Sequence, residues 1–357
     1  MRLSTSLRTY SSQPEPFPSD AAALNALLAD LGIDSPCTLK FGNLAPIEIN
    51  VAQGASIPAT HPLTEVLTSL IYHYAYARAW TGDPAASAIP SGSLAQVEAD
   101  PRFVASLSAA NHSRERWDPM WRVYKAELSG ALSVEKRSVY FQVLPGSYTF
   151  TESPGRIPTI GDSVSVHVPK ESNGVQRGFY FSFGETIASE FDDILLARFY
   201  FHATAEGVPN LLEWISGDLN RYRVPFRFKC LANPVLYDRR DPVVLYIAKR
   251  FVPLWLRLAA SRRDELEKFL LPSHPLFTKP LVAGLGAADE PGGSTSFGQS
   301  RSRLVAEGIV TAWMAGSQSV TDRMQSIADC FHNAGLSLRT PYLGEGARDI
   351  YEWPVEA

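Results

Sequence analysis

The sequence predicts an α+β protein: a mixed, largely antiparallel twisted sheet with flanking helices and a helical N-terminal region. Three observations lead there. Helical periodicity dominates from Ala21 to about Pro119, short alternating aromatic segments begin around Trp117, and a strand–helix–strand passage follows in RFYFHA…PFRFKCLA. The implied organisation is a flexible tail over 1–20, a helical region over 21–120 and an α+β region over 121–357. The last two can form one continuous domain.

Within the helical region, LTEVLTSLIYHYAYARAW sets Leu63, Val66, Leu67, Leu70, Ile71 and Tyr74 at helical spacing, as one buried stripe flanked by His73 and Tyr76. PAASAIPSGS, Pro84 to Ser93, reads as a loop. WRVYKAELSG, SVYFQVLPGSYTF, DSVSVHV and GFYFSFGE are short, alternating and separated by Gly, Pro and Ser, the pattern of antiparallel strands. In RFYFHA alternation sends Arg198, Tyr200 and His202 to one face and Phe199, Phe201 and Ala203 to the other. Pro209 to Tyr222 is a helix with Leu211, Leu212, Ile215 and Leu219 inward, and Pro209 suits its first turn. So short a crossover predicts parallel pairing of RFYFHA with PFRFKCLA, with PVVLYIAK joining through a longer loop. Helices are also expected near Phe251–Leu271 and Arg301–Gly316, the second after the glycine-rich ADEPGGSTSFGQSRSR.

Composition excludes several classes. A net charge of −4 argues against wholesale nucleic-acid binding, and no apolar run approaches the roughly 18 residues of a membrane helix. Cys37, Cys230 and Cys330 are odd in number and far apart, which supports no disulfide framework or zinc spacing and fits a reducing cytoplasm. The Ser-rich start, with two arginines and no acid before Glu15, fits a targeting segment or, more simply, a disordered tail.

The phosphate-binding loop, dinucleotide fingerprint, kinase loops, serine-hydrolase elbow and H-E-x-x-H are all missing, which leaves chemistry that side chains perform alone, without metal or cofactor. In FRFKCLA, Arg227, Lys229 and Leu231 share one face. A desolvated lysine beside other cations is favoured as the neutral amine, a base, whereas at a strand edge it is a solvated ammonium. Tyr246, amid apolar residues, needs a partner for its hydroxyl, as many core tyrosines do. His202 alone is more often structural than catalytic. The loop before Arg301 and Arg303 offers backbone N–H groups and guanidinium forks suited to an anion, or else a solvated helix start. Arg239 and Arg240 lie in a turn-like YDRRDP, where a charge run is usually solvated. A strand acid, a strand base and several arginines together fit removal of phosphate from a phosphorylated side chain by β-elimination.

RFYFHATAEGVP, VPFRFKCLANP, YDRRDPVVLYIAKR, TSFGQSRSRLVAE and GLSLRTPYL resemble the HopA-type bacterial effector family, from the YHYAYARAW helix to the PYL segment. That family includes HopA-like lyases of class V lanthipeptide and thioamitide biosynthesis and is similar to phosphothreonine lyase effectors. The resemblance implies Lys229 in FKCLA as base, His202 in FH as acid and Tyr246 in LYI as partner of phosphate or lysine. It assigns phosphate to Arg239 in YDRRD and Arg301 in FGQSR, with Arg198 and Arg303 as further members. It also implies two partners, a phosphorylated precursor peptide and an aminoglycoside-phosphotransferase-like kinase. The expectation is therefore a carbon–oxygen lyase forming dehydroalanine or dehydrobutyrine. The alternative is a secreted type III effector or a non-catalytic phosphopeptide-binding scaffold that partners a kinase.

Overall fold

The computed structural model describes residues 17–49, 62–83, 97–150, 156–293 and 295–354. The loop expected at Pro84–Ser93 and most of the tail expected over 1–20 lie outside them. The protein is α+β, and its described residues fall into two compact units. One draws on Met1–Ser91, Asp238–Asp241 and Pro272–Glu352, the other on Gly92–Tyr237, Pro242–Leu271 and Trp353–Ala357.

In the first unit, α1 (Ala21–Ala29) buries Leu24, Leu27 and Leu28 at helical spacing. An unexpected sheet follows: β1 (Leu31–Ser35), β2 (Thr38–Phe41) and β3 (Ile47–Glu48), antiparallel in that order. Its signal is the period-two set Leu31, Ile33, Leu39 and Phe41, all buried. The strands are too short to stand out in a window wide enough to detect a helix. The N-terminal region is thus only partly helical.

The stripe of α2 (Pro62–Ile71) buries Leu63, Leu67 and Ile71 completely, with Val66, Leu70 and Tyr74 partly exposed. The helix continues as a π-helical turn over Tyr72–Tyr76. The wider turn inserts a residue into the helical phase, so Tyr76 enters the core instead of flanking the stripe and is 1% exposed. Tyr76 stacks on Tyr72 at 5.4 Å and lies against Gly298, where an added Cβ would fall 2.3 Å from the ring.

The hairpin β14 (Lys279–Val282) and β15 (Leu285–Asp289) precedes α8 (Phe297–Met314), capped by Ser296, and α9 (Val320–Asn333). The unexpected α9 carries its signal in Met324, Ile327, Ala328 and Phe331, all buried, with Ser319 as N-cap. Gly308 lets the two helices meet, since a Cβ there would lie 2.5 Å from the Ile327 Cα. Gly308→Ala should therefore destabilise the protein by about 1–3 kcal/mol, read as a lower denaturant midpoint at unchanged slope. Buried Arg323 donates to the carbonyls of Leu28 and Leu31 at 2.8 and 2.7 Å, tying α9 to the end of α1.

The second unit begins with α3 (Pro101–Ala110) and the sheet β6-β5-β4-β8-β7. Its strands are β4 (Arg116–Ala126), β5 (Leu132–Lys136), β6 (Val139–Val143), β7 (Tyr148–Thr149) and β8 (Ser163–Val168). One face packs Trp121, Val123, Leu132, Val134, Val143, Val164 and Val166 into a core, as the alternation predicts.

Next come β9 (Glu171–Ser172), β10 (Phe179–Phe183), α4 (Glu190–Ile194), β11 (Leu196–Phe201), α5 (Val208–Arg221), β12 (Phe226–Leu231), β13 (Val243–Ala248), α6 (Val252–Ser261) and α7 (Arg263–Phe269). Within this unit the strand order is β11-β13-β12-β10-β9. The expected direct pairing of RFYFHA with PFRFKCLA is corrected: both strands pair antiparallel to β13, which lies between them. They run in the same direction without pairing. The almost wholly apolar β13 takes the centre because a strand with neighbours on both sides buries most.

The back of this sheet is apolar. Phe199, Phe201, Phe228, Leu245 and Cys230 are completely buried, and Trp255 of α6 packs edge-on to Phe199 and Phe201 while stacking on Trp214 of α5. Leu211, Leu212, Ile215 and Leu219 of α5 are buried as expected.

Candidate functional site

The front face of the β11-β13-β12-β10 array is where the sequence expects chemistry. Residues directly opposite in antiparallel strands share a face, so register decides which side chains are neighbours. Arg198 is opposite Tyr246, Tyr246 opposite Arg227, and Arg227 opposite Phe183. The next row on the same face is Tyr200, Val244, Lys229 and Phe181. Continued alternation past Phe201 gives buried His202 the parity of Arg198 and Tyr200. The His202 carbonyl accepts from Leu271 N at 2.8 Å, and Ala203 bridges Leu270, fixing the end of this strand.

The first row is a cation–phenol–cation array. The guanidinium carbon of Arg198 lies 5.1 Å from the Tyr246 ring centre and that of Arg227 5.3 Å from it. A tyrosine face between two guanidiniums attracts both and offsets their mutual repulsion. Arg198 is 8% exposed and donates to the Tyr200 hydroxyl at 3.4 Å. Lys229 leans away from the row: its ammonium donates to Gln176 Oε1 at 2.7 Å and lies 3.9 Å from the Phe179 ring centre.

Arg239, Arg301 and Arg303 belong to the first unit. Buried Arg239 forms a two-pronged pair with Asp241 at 2.8 and 2.9 Å and donates to the Tyr72 hydroxyl at 3.1 Å. Burial opposes its charge, but Asp241 and Tyr72 hold its pKa above the ordinary arginine value. Arg301 is buried, donating to the carbonyls of Pro341 at 2.7 Å and Leu343 at 3.1 Å, so it anchors the PYL segment. Arg303 pairs with Glu307 at 2.9 Å and Glu65 at 3.6 Å.

The sheet register thus brings Arg198, Tyr246 and Lys229 to one face, and adds Arg227, which alternation had placed there without singling it out. The signal that reveals Arg227 is long-range register with Tyr246.

Among the described residues no three His, Cys, Asp or Glu form a group that could hold a metal ion, and no helix is long and apolar enough to cross a membrane. Comparison with known proteins gives a family match and several similar structures. Residues 170–343 match the HopA1 effector protein family. The effector protein from Pseudomonas syringae pv. syringae strain 61 is similar at 13% identity and a TM-score of 0.42, covering 77% of this chain and 88% of that one. The effector protein from Pseudomonas syringae pv. tomato strain DC3000 is similar at 13% identity and a TM-score of 0.40, covering 79% of this chain and 98% of that one. No curated protein matches. The matched span starts after the YHYAYARAW helix, ends at the PYL segment and contains every site residue named above. From Lys170 to Leu343, then, this chain is a HopA1 effector family domain.

Proposed function

We propose that this protein is a phospholyase, which eliminates phosphate from phosphoserine or phosphothreonine in a peptide and leaves dehydroalanine or dehydrobutyrine. The observation that supports this most is the cross-strand row Arg198–Tyr246–Arg227 beside Lys229 on one sheet face. Two guanidiniums offer forked donors to a phosphate dianion and stabilise the charge it gains. Lys229 leaves Gln176 and takes the Cα proton as a neutral amine. The C–H electron pair becomes the Cα–Cβ double bond, and the Cβ–O bond breaks toward phosphate. His202 protonates the departing oxygen, and Tyr246 holds phosphate or the lysine amine. In this reading Arg239, Arg301 and Arg303 keep the anion-binding roles that the family resemblance assigns them. The phosphorylated residue comes from a separate aminoglycoside-phosphotransferase-like kinase acting on a precursor peptide, as in lanthipeptide or thioamitide-type biosynthesis.

A second reading has its own observation. The Lys229 side chain is engaged by Gln176 and the Phe179 ring rather than left open to a substrate proton, which suits a scaffold that binds phosphopeptide without turnover.

The test is incubation with a synthetic phosphothreonine peptide, followed by mass spectrometry and ultraviolet absorbance. Loss of phosphoric acid with a new dehydroamino-acid band is expected. Stable binding without loss favours the scaffold, and a peptide that keeps its hydroxyl after losing phosphate reveals a hydrolase instead. Arg227→Gln should raise KM for the phosphopeptide by about tenfold and lower kcat as well, because the guanidinium both holds the phosphate and stabilises the charge it gains.

A further inference from the structure

A groove of about 540 Å³ opens in the second unit beside the Arg198–Tyr246–Arg227 row. Such a volume falls within the roughly 300–1,000 Å³ of small-ligand sites. Its walls carry Phe141 and Leu144 from β6 and the turn after it, Val168 from β8, and Ile187. Arg227 and Tyr246 also line it, so groove and cation row share two side chains. Phe141 and Leu144 are 37% and 60% exposed, leaving apolar surface in water at the rim.

The groove carries charge of both signs. Arg227 and Arg198 flank Tyr246, a setting for a dianion. Asp192 and Asp193 also line it. Asp192 is engaged by Arg250 at 2.6 and 2.9 Å. Asp193 is held above the usual carboxylate range by burial, with Arg227 pulling it down and Asp192 pushing it up. An occupant of this groove can set a dianion against Arg227 and Tyr246, while the rest of it meets apolar walls and the Asp192 and Asp193 carboxyls, which disfavour further acids.

We infer that the groove binds the residues flanking the phosphorylated side chain, as an extended segment with apolar and no acidic side chains. This rests on the phospholyase reading for the position of the phosphate and adds to it a substrate class: phosphopeptides selected by an apolar flank.

The full chain should be given three phosphothreonine peptides that differ only in flank: Leu/Phe-rich, Ser/Gly-rich and Asp/Glu-rich. Elimination and fluorescence-anisotropy binding are measured separately. The apolar flank is expected to exceed the Ser/Gly flank in kcat/KM by about tenfold or more, with the acidic flank poorest. Leu144→Glu and Phe141→Glu, both at exposed positions, should collapse the apolar-to-Ser/Gly ratio toward one, with circular dichroism verifying the fold. Elimination indifferent to flank overturns the groove and leaves the lyase standing. Flank-dependent binding that these substitutions abolish, without elimination from any peptide, supports the groove and overturns the lyase. Failure of every peptide to bind overturns the groove.

Discussion

Lys229→Ala should leave a phosphothreonine peptide intact over a period in which the wild-type protein converts it completely, a fall of at least ~10³ in rate. The base is the one group in the proposed reaction that water at neutral pH replaces poorly, because the Cα proton is only weakly acidic. The substitution should spare the fold. Lys229 is half-buried, and the backbone pairing of β12 with β10 and β13 does not depend on its side chain. Affinity for phosphopeptide should fall far less than turnover, since Arg198 and Arg227 remain. Lys229→Arg sharpens the comparison by keeping a cation while removing a usable base. Elimination at an undiminished rate in either variant would remove Lys229 from the chemistry. Mass spectrometry of the peptide and anisotropy on the same preparations read both quantities.

Asp20→Asn should flatten the pH dependence of stability and make the protein firmer in mild alkali. Asp20 is 1% exposed, and its carboxylate accepts from Phe277 N at 3.1 Å. Burial pushes its pKa up to about 7, against smaller opposing contributions from the Phe277 amide, Ser19 and Arg240. A folded-state value above the unfolded one means that the folded protein holds this proton more tightly. The contribution is therefore full below about pH 4 and is lost as pH rises through 7. Across that window wild-type stability should drop by roughly 3 kcal/mol from this group alone. Asparagine keeps an oxygen for Phe277 N and does not titrate. Denaturant melts at pH 5.5 and 8.0 should thus converge in the variant and diverge in the wild type. Equal divergence in both would assign the dependence to another group.

How far the sequence reveals this molecule depends on the range of the interaction involved. Alternation in RFYFHA and FRFKCLA correctly assigns Phe199, Phe201 and Phe228 to a buried face and Arg198 and Lys229 to the other, because side-chain direction in a strand is local. Strand adjacency is not local. A short crossover says that β11 and β12 run the same way, but says nothing of the later, more apolar strand that inserts between them. Tyr76 packs, as its place beside the apolar stripe suggests, but the π turn carries it fully into the core by a change of helical phase that no residue announces. Arg301 held by backbone carbonyls forty residues on has no sequence signature at all, since every residue supplies a carbonyl. The Asp241 partner of Arg239 lies only two residues away in YDRRDP, yet a charge run on a turn suggests solvation, and the burial of Arg239 comes from tertiary packing that the stretch does not announce. By contrast α9 carried an ordinary apolar period that could have been read.

The central place of β13 makes its six residues a shared ruler for the strands on either side. A slip of one position along it would turn Leu245 and Ile247 toward the arginines and send Tyr246 toward the Trp255 indole. Insertions in this segment should therefore abolish folding and any chemistry together, whereas changes of substrate range should arise in the turns that border the groove. A variant library built on this scaffold would do best to diversify the turns and leave the ruler alone.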